Sequence, residues 1–407
     1  MSSLKYSSVW TSDFYDKWKD EFSATAWKIA RESIDNSPFA LARWTGEWHR
    51  SDRLWHIRRD FALILDQFSV GTDGVWTKVI PHASSRKHFI AAHDLGAMTL
   101  DDAIRNGDYP MLFSNLLDAR SVEEDKQWFI GMLEELAKIA KKQWVILYAG
   151  ETANLWPCVS TTDPESKSAF NWAWFVDTVK HPLIHSQRGN LTNFWKIEPG
   201  NIIVALRQWG FRSNGISAVR RAFEAEYGPD WYRTAPRDKF DDAFQASRIY
   251  CRAVWEAMGW FNTRLSQWWV IMPDDFAFQV DIRWVAHLSG GSFEGKFYDA
   301  LIKPNNVSAV LSELYPTPDI VKDVYAWQQK LPERLGRKPD VTDLRSVYRT
   351  FCNGQWMLVA LWDLEAAEKF VQIAWAQGEE WEIVGEITRA WKNGPELEIT
   401  GDQISLT

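Results

Sequence analysis

The sequence predicts a chain of mixed helix and sheet, α/β or α+β in class and divided into two domains or at most three. Its 407 residues have the length of two ordinary domains. With 46% apolar and 25% charged residues, the composition is that of a globular protein with a sizeable core, which excludes disorder throughout the chain. Apolar segments bounded by turn residues alternate with amphipathic segments of helical period.

The first half of the chain supplies strands and helices in alternation from about residue 62. We predict a strand at Ala62–Val70 ending in a Gly71–Gly74 turn, a buried strand at 88–97, and a short helix from Thr99. The clearest helix is 121–142, which begins with a capping box and ends in lysines. A buried strand at Trp144–Tyr148 follows it.

The second half begins at Ile202–Leu206, a strand that we take as the start of a second domain. The other predicted elements are helices near 215–226 and 238–258, a strand at 280–288, a strand at 357–362, a helix at 363–377 capped by Asp363, and a strand at 381–388. Three segments are predicted insertions, at 160–168, 181–192 and 258–279, and a further helix is predicted around Asp16–Ser33.

Charge and cysteine usage exclude several classes of protein. The net charge of −8 leaves no basic surplus for a nucleic-acid backbone, so no nucleic-acid partner is expected. The N-terminus lacks the apolar core of a signal peptide, and no apolar run approaches the roughly 20 residues of a membrane span. Three widely spaced cysteines support neither a disulfide framework nor a zinc site. These observations predict a soluble cytoplasmic protein with no membrane partner.

Four predicted turns combine glycine or a hydroxyl with an acidic or amide residue directly after a strand. They are Gly71–Lys78, His93-Asp94, Ala149–Asn154 and Ser213–Ser217. Glycine lets backbone N–H groups approach a phosphate, lysine adds a point charge, and carboxylates hold Mg²⁺ between phosphate oxygens. Each motif taken singly is equally typical of a tight turn or a helix cap, and the P-loop and dinucleotide patterns are absent.

Eight motifs, in this order, together resemble one family. They are GTDGVWTK at 71–78, KHFIAAHDLGAM at 87–98, NGDYPMLF at 106–113, AGETANL at 149–155, GFRSNGISAVR at 210–220, SRIYCRAV at 247–254, AHLSGG at 286–291 and VYRTFCNGQWM at 347–357. The set resembles the aminoimidazole ribonucleotide synthetases, also called phosphoribosylformylglycinamidine cyclo-ligases, of purine biosynthesis. The resemblance runs from about residue 62 to 390.

The resemblance implies an α+β fold of two domains, at 1–195 and 196–407. The first would bind ATP and pair its sheet across a homodimer, and the second would be an α/β domain. The implied reaction uses ATP and Mg²⁺: ATP phosphorylates the amide oxygen of formylglycinamidine ribonucleotide, the amidine nitrogen closes the imidazole ring, and phosphate leaves. Such a site positions two phosphorylated ligands and stabilises transferred charge.

Carried over position by position, the resemblance implies catalytic roles for Lys78, Asp94 and Glu151, and metal binding by Asp73, Asp94 and Glu151. Residues implied to bind ATP or substrate are Gly71, Thr72, Asp73, Gly74, Thr77, Lys78, Gly150, Thr152, Ser213, Asn214 and Gly215. Asp102 matches the aspartate of the family's Asn-Asp pair, with Asp101 in place of the asparagine. His287, Gly290 and Gly291 match a further turn.

The departures from the family concern tryptophan above all, since the chain has 26 Trp and only 22 Gly. The family has glycine where Trp76 and Trp356 stand, and an indole at 76 would crowd a loop that approaches phosphate. Two accounts stay open: the codons are stop codons read as glycine in the native organism, or the protein has lost catalysis. An indole that simply packs into the core is the third reading of each position.

Two other functions compete with the cyclo-ligase. One is another ATP-using relative, such as thiamine monophosphate kinase, selenophosphate synthetase or formylglycinamidine ribonucleotide synthetase, and no catalytic cysteine near the N-terminus supports the selenium enzyme. The other is a dimeric scaffold without catalytic activity, which the tryptophan substitutions favour. ATP turnover with and without formylglycinamidine ribonucleotide separates these possibilities.

Overall fold

The computed structural model describes residues 24–25, 28–29, 32, 68–85, 87–105, 107–156, 158–160, 166–180, 197–259, 279–401 and 404–406. Most of the predicted helix at Asp16–Ser33 lies outside them, as do the start of the strand at Ala62, the insertion at 181–192 and the domain boundary at 195. Within the described residues the protein mixes helices with two sheets, as predicted.

The first sheet has four strands in the order β1-β4-β2-β3. These are β1 (Phe68–Gly74), β2 (Asp108–Ala119), β3 (Ile146–Asn154) and β4 (Phe170–Lys180). Strand β4 runs antiparallel to β1 and β2, whereas β2 and β3 are parallel. The helices are α1 (Val79–Ser85), α2 (His88–Ile104) and α3 (Lys126–Gln143), with 3₁₀ turns at Trp76–Lys78 and Glu123–Asp125.

The second sheet has seven strands in the order β11-β10-β7-β9-β5-β8-β6. These are β5 (Ile202–Arg207), β6 (Ile282–His287), β7 (Val307–Leu311), β8 (Gln355–Leu361), β9 (Trp381–Arg389), β10 (Leu397–Ile399) and β11 (Ile404–Leu406). Strand β8 is antiparallel to both β5 and β6. The C-terminal ends of β5 and β6 therefore lie beside the N-terminal end of β8.

Nine helices accompany this sheet in the described part of the chain. They are α4 (Ile216–Tyr227), α5 (Trp231–Thr234), α6 (Arg237–Ala243), α7 (Cys251–Ala257), the π-helix α8 (Phe293–Ile302), α9 (Asp319–Gln328), α10 (Leu331–Leu335), α11 (Leu344–Thr350) and α12 (Leu364–Ala376). The predicted cap of α12 is confirmed, because the Asp363 carboxylate accepts from the Ala366 N–H at 2.9 Å.

The strand predicted at 88–97 is wrong, since one helix, α2, covers that segment and the short helix predicted after it. Thirteen of its 17 residues are buried, including Ala91, Leu95 and Gly96. A helix surrounded by protein is apolar on all sides and loses its 3.6-residue signature, so its sequence resembles a buried strand. Consequently Asp94, Asp101 and Asp102 lie on a helix.

Three further boundaries differ from the predictions. The turns predicted at Gly71–Gly74 and Ala149–Asn154 are the ends of strands β1 and β3. The long helix predicted at 238–258 is two helices. Between α6 and α7, the backbone N–H groups of Ser247 and Tyr250 donate to the carboxylates of Asp94 and Asp101, respectively. An N–H used in this way does not form a helical bond.

A continuous apolar core joins the two sheets, with residues from α2, α3 and β2 packed in the same cluster as residues from β5, β6 and β8. A second, smaller cluster lies among α4, α6 and α9 around Phe223, Trp231 and Trp327. No helix within the described ranges combines the length and apolarity needed to cross a bilayer.

Candidate functional site

The 3₁₀ turn after β1 meets the N-terminus of α4. The Thr77 Oγ1 lies 3.2 Å from the Ser217 Oγ, so the first predicted phosphate loop touches the fourth. Asp73 is half-buried at the end of β1, where its Oδ1 accepts from the Gly74 N–H at 2.7 Å. The structure therefore brings together Asp73, Thr77 and the turn before α4.

Lys78, at the end of the same turn, is fully buried instead of lining a cleft. Its ammonium donates to Asp94 Oδ1 at 2.9 Å and to the backbone carbonyls of Phe211 and Gln245, each at 2.8 Å. An ammonium has three donors, and these acceptors take all three. Lys78 therefore does not face an open cleft, because the segments around 211 and 245 enclose it.

Asp94 is the centre of this buried cluster. Its carboxylate contacts Lys78 and His82 at 2.9 and 2.7 Å, and it accepts from the Ser247 N–H at 3.0 Å and from the Ser247 hydroxyl. Burial would raise the pKa of Asp94, but the Lys78 charge and the hydrogen bonds outweigh it and hold the pKa well below its usual range. Burial lowers the pKa of His82 in the same cluster.

Asp101, which replaces the family's asparagine, forms a second buried cluster. Its Oδ2 accepts from Arg212 Nη2 at 3.2 Å and from Trp356 Nε1 at 3.0 Å, and its Oδ1 accepts from the Tyr250 N–H at 2.9 Å. The Arg212 guanidinium lies over the Trp356 ring. Burial raises the pKa of Asp101 to about 6, and it lowers the pKa of Arg212 to about 10.

Asp102, on the next position of α2, faces a different environment. Its Oδ1 lies 3.2 Å from the Nδ1 of the buried His287 at the end of β6. Burial opposes the charge of Asp102, yet the His287 hydrogen bond and the Arg105 and Lys296 charges lower the pKa of its carboxyl. Burial lowers the pKa of Lys296, and the charges of Asp73 and Asp102 oppose that effect. Lys296 thus lies close enough to sense both carboxylates.

The remaining predicted substrate residues lie where β5 and β6 end. Gly215 has a φ of 74°, and a Cβ there would lie 2.9 Å from the Phe351 ring, so only glycine suits this turn. A Cβ on Gly290 would lie 3.5 Å from Asn214 Oδ1, which places these two turns side by side. The Ser213 Oγ and the His287 Nε2 are buried and have no hydrogen-bond partner among the residues that the structure describes. Orphaned polar atoms of this kind are suited to a polar ligand.

Glu151, Gly150 and Thr152 lie apart from this group, on strand β3. Across the sheet, Asp73 pairs with Trp174, Trp174 with Asn115, and Asn115 with Gly150. Three strand spacings, about 14 Å, therefore separate Asp73 from Gly150. Glu151 is exposed. Gly71 and Gly150 lie within strands, where a Cβ would meet Val176 at 3.0 Å and Asn115 at 2.8 Å, so packing between strands also favours glycine at both positions.

The three carboxylates predicted to bind metal are therefore not brought together within one chain. Asp94 is enclosed by its ion pair, and Glu151 lies on the far strand of the sheet. Among the described residues no three His, Cys, Asp or Glu side chains are grouped as a metal site would need. The carboxylates that do share one neighbour are Asp73 and Asp102, through Lys296.

The sequence did not single out Lys296 or the cluster of Asp101, Arg212 and Trp356. Lys296 lies on the π-helix that follows the Gly290-Gly291 turn, and no motif distinguishes it from other lysines. The signal for the cluster was the coincidence of two departures from the family that the motifs resemble, at 101 and 356, which the structure brings into direct contact.

The two tryptophans at family glycine positions have normal backbones. Neither Trp76 nor Trp356 is among the described residues with positive φ. Trp356 is completely buried in the core, with its ring against Arg212 and His287. Its indole therefore packs inside the protein, which agrees with the interpretation that the tryptophan at this position is a core residue. The side chain of Trp76 lies outside the described part of the structure.

Comparison with known proteins finds no family model that matches the sequence. Among solved structures, the protein is similar to a chain of a HypE–HypF complex, with a TM-score of 0.48 and 16% identity over 86% of this chain and 93% of that chain. It is similar to Escherichia coli HypE, a hydrogenase maturation protein, with a TM-score of 0.46 and 12% identity over 93% and 94%. It is also similar to Thermotoga maritima PurL complexed with ATP, with a TM-score of 0.43 and 14% identity over 84% and 44%. TM-scores below 0.5 carry no conclusion about activity.

The state of His287 makes stability depend on pH. Burial lowers the pKa of His287 from 6.5 to about 4. Between these values the unfolded chain binds a proton that the folded chain does not, so stability present above pH 6.5 is lost as the pH falls towards 4. We expect a His287→Gln variant to lose less unfolding free energy between pH 7 and pH 5 than the parent protein, as measured by urea denaturation. Equal losses in the two proteins would contradict this account.

Proposed function

We propose that the protein is an ATP-dependent enzyme that converts formylglycinamidine ribonucleotide to aminoimidazole ribonucleotide. The observation that carries the proposal is the order of the motifs, together with the meeting of three of them in space. Thr77 contacts Ser217, Asn214 lies beside Gly290, and Asp102 is bonded to His287. Segments up to 185 residues apart thereby form one polar region between the two sheets.

The residues present fit a phosphate-bearing ligand with Mg²⁺. Mg²⁺ in proteins commonly takes one or two carboxylates and completes its coordination with water and phosphate oxygens. Asp73 and Asp102 are the carboxylates that would hold it, and the ion would neutralise charge on the transferred phosphoryl group. Asp94 does not take part in this proposal, since its oxygens are bonded within the protein. Catalytic and binding roles for Glu151, Gly150 and Thr152 remain predictions.

The chain's own residues would then position the ligands and leave the chemistry to ATP. Because His287 is neutral above about pH 4, its Nδ1–H donates to Asp102 and keeps that carboxylate ionised and oriented. The charge of Lys296 interacts with the carboxylates of Asp73 and Asp102. The unpartnered Ser213 hydroxyl is available to hydrogen-bond the substrate. Preorganised charge of this kind is the main catalytic contribution in phosphoryl transfer.

The proposal includes a homodimer formed through the first sheet. Strands β1 and β3 are its edges within the described residues, and unpaired edges favour pairing with another chain. Phe175, on the central strand β4, has 43% of its surface exposed. Pairing of two such sheets would cover this aromatic side chain and satisfy the edge strands.

The test of the function is an Asp73→Asn variant assayed for ATP hydrolysis that depends on formylglycinamidine ribonucleotide. We expect turnover to fall at least 100-fold, about 2.7 kcal/mol of transition-state stabilisation. The free energy of unfolding should stay within about 0.5 kcal/mol, because the asparagine oxygen still accepts from the Gly74 N–H.

The matched control is Asp118→Asn, a half-exposed carboxylate on β2, which should leave turnover unchanged. Near-parental turnover in Asp73→Asn would exclude this loop from the site. Conversion of ATP and thiamine monophosphate to ADP and thiamine diphosphate, with no ATP turnover on formylglycinamidine ribonucleotide, would replace the proposed reaction with that of the kinase.

A further inference from the structure

A cavity of about 400 Å³ opens at the C-terminal end of α3, and its lining includes no residue of the four motif turns. Its lining consists of Lys138, Lys141, Lys142, Trp144 and Arg252. Every charged residue in this lining is a cation, in a protein whose net charge is −8. The volume lies in the range of pockets that hold small molecules.

The three lysines project from one side of α3. Residues 138, 141 and 142 have the i, i+3, i+4 spacing that places side chains on a common face about 5–6 Å apart. The side chains of Lys138 and Lys142 are 73% and 55% exposed. The Glu135 carboxylate raises the pKa of Lys138, so its charge persists at neutral pH. The helix therefore presents three ammonium groups to the cavity at one end.

The end of a helix is ordinarily unfavourable for an anion, because its last carbonyl groups carry partial negative charge. Here the last carbonyl groups of α3 accept hydrogen bonds. The Ala140 carbonyl accepts from the Val145 N–H at 2.9 Å, and the Lys141 carbonyl accepts from the Trp144 N–H at 3.4 Å. The Lys142 carbonyl accepts from Arg252 Nη1 at 3.1 Å, which adds a full positive charge at the helix end. The local field consequently favours an anion.

Trp144 forms the aromatic wall of the cavity at some energetic cost. Its φ is 59°, a left-handed conformation that normally belongs to glycine after a helix and costs a bulky residue about 1–2 kcal/mol. The Tyr109 hydroxyl donates to the Trp144 carbonyl, and the Arg252 guanidinium lies 4.6 Å from the centre of the indole. A strained residue held by specific contacts is typical of binding sites.

Lys138 and Lys142 have carboxylate partners that lie outside the lining, and the charge of Arg252 also interacts with the Glu256 carboxyl. Lys138 pairs with Glu135 at 2.8 Å and Lys142 with Glu379 at 2.9 Å. Lys141 forms no ion pair with any residue that the structure describes. Within the described ranges no carboxylate lines the cavity, so an entering anion meets ammonium and guanidinium groups first.

We propose that this cavity binds a small anion carrying at least two phosphate groups, at a site separate from the proposed ATP site. Lysine ammonium groups bind phosphate as point charges, and arginine binds it through a planar pair of donors. Three ammonium groups spaced along one helix face match adjacent phosphates better than a single one. The concave shape and small volume favour a small molecule over a protein surface.

The test is calorimetric titration with inorganic tripolyphosphate at a fixed ionic strength. A variant carrying Lys138→Gln, Lys141→Gln and Lys142→Gln should bind it at least tenfold more weakly than the parent, because all three ammonium groups are lost. Glutamine is a good helix former, so α3 should persist, which circular dichroism checks. The matched control carries Lys303→Gln, Lys322→Gln and Lys369→Gln, three exposed lysines elsewhere, and should bind within twofold of the parent.

An equal loss of tripolyphosphate affinity in both triple variants would overturn the proposal, because the loss would then result from the change in net charge alone. Absence of tripolyphosphate binding to the parent protein would also overturn it. A tetraglutamate peptide that binds the parent as tightly as tripolyphosphate, and loses that affinity in the first variant, would replace phosphate with an acidic peptide as the ligand. None of these measurements depends on ATP turnover, so the proposed function stands or fails separately.

Discussion

Replacing Lys78 with alanine is expected to lower the free energy of unfolding by about 3–5 kcal/mol, because it leaves the buried Asp94 carboxylate without its cation. Lys78 and Asp94 have no exposed surface, and their contact is 2.9 Å long. The substitution also leaves the carbonyls of Phe211 and Gln245 without their side-chain donor. Urea denaturation at pH 7 measures the change.

A double variant separates the buried charge from the loss of packing. Lys78→Met with Asp94→Leu removes both charges with little change in volume, and we expect it to recover the part of the lost stability that comes from the unpaired Asp94 charge. The carbonyls of Phe211 and Gln245 still lack their side-chain donor in this variant. Loss of catalytic turnover in Lys78→Ala without loss of stability would contradict a structural role. It would instead support the role that the motif resemblance implies, in which Lys78 contacts phosphate.

Replacing Trp356 with glycine is expected to destabilise the protein by about 4–6 kcal/mol, since a fully buried indole is removed from the core and glycine adds backbone entropy. The Asp101 carboxylate would lose one of its donors, and Arg212 would lose the ring beneath it. We therefore expect no gain in ATP-dependent turnover from this substitution. Thermal unfolding and the turnover assay together measure the outcome.

Trp356→Phe is the matched control for this prediction. It keeps a ring under Arg212 and removes the indole N–H, so its cost should be smaller by at least half. The loss of the indole N–H should also raise the pKa of Asp101 further, because this N–H donates a hydrogen bond to the charged carboxylate. A tenfold rise in turnover for Trp356→Gly would show that the indole occupies space needed by a ligand, as the comparison with the family's glycine suggests.

Much of the fold could be predicted from the sequence where periodicity was distinct. Helix α12, with its Asp363 cap, is close to its predicted limits. Helix α3, with its apolar residues at helical spacing and its terminal lysines, ends close to its predicted limit but begins at Lys126, after a 3₁₀ turn at Glu123–Asp125 and not at the capping box predicted at 121. Helix α2 could not be predicted, because burial on every side removes the polar face that identifies a helix. The break between α6 and α7 depends on carboxylates of α2, more than 140 residues earlier.

The candidate site was predictable in composition and much less so in geometry. Motif order implies ligand-binding roles for both the Thr77 turn and the Ser213–Ser217 turn, which are in contact in the structure. It gave no means of separating Asp94 from Asp102, two acids on one helix. One of them packs against a lysine in the core, and the other contacts His287 near Lys296. That distinction arises from the rotation of α2 and from the segment around Ser247, both properties of the folded chain.

The buried cluster around Asp94 also constrains the order in which the protein can be completed during synthesis. Lys78 and Asp94 are only 16 residues apart, but the other acceptors of Lys78 lie 133 and 167 residues downstream. When a ribosome has made residues 1–195, the ammonium has one of its three acceptors, and Asp94 lacks Ser247. The first half therefore emerges with a polar cluster whose remaining hydrogen bonds are formed only by residues of the second half. Completion of the segment before residue 195 therefore depends on the segment after it, across the domain boundary that the sequence predicts there.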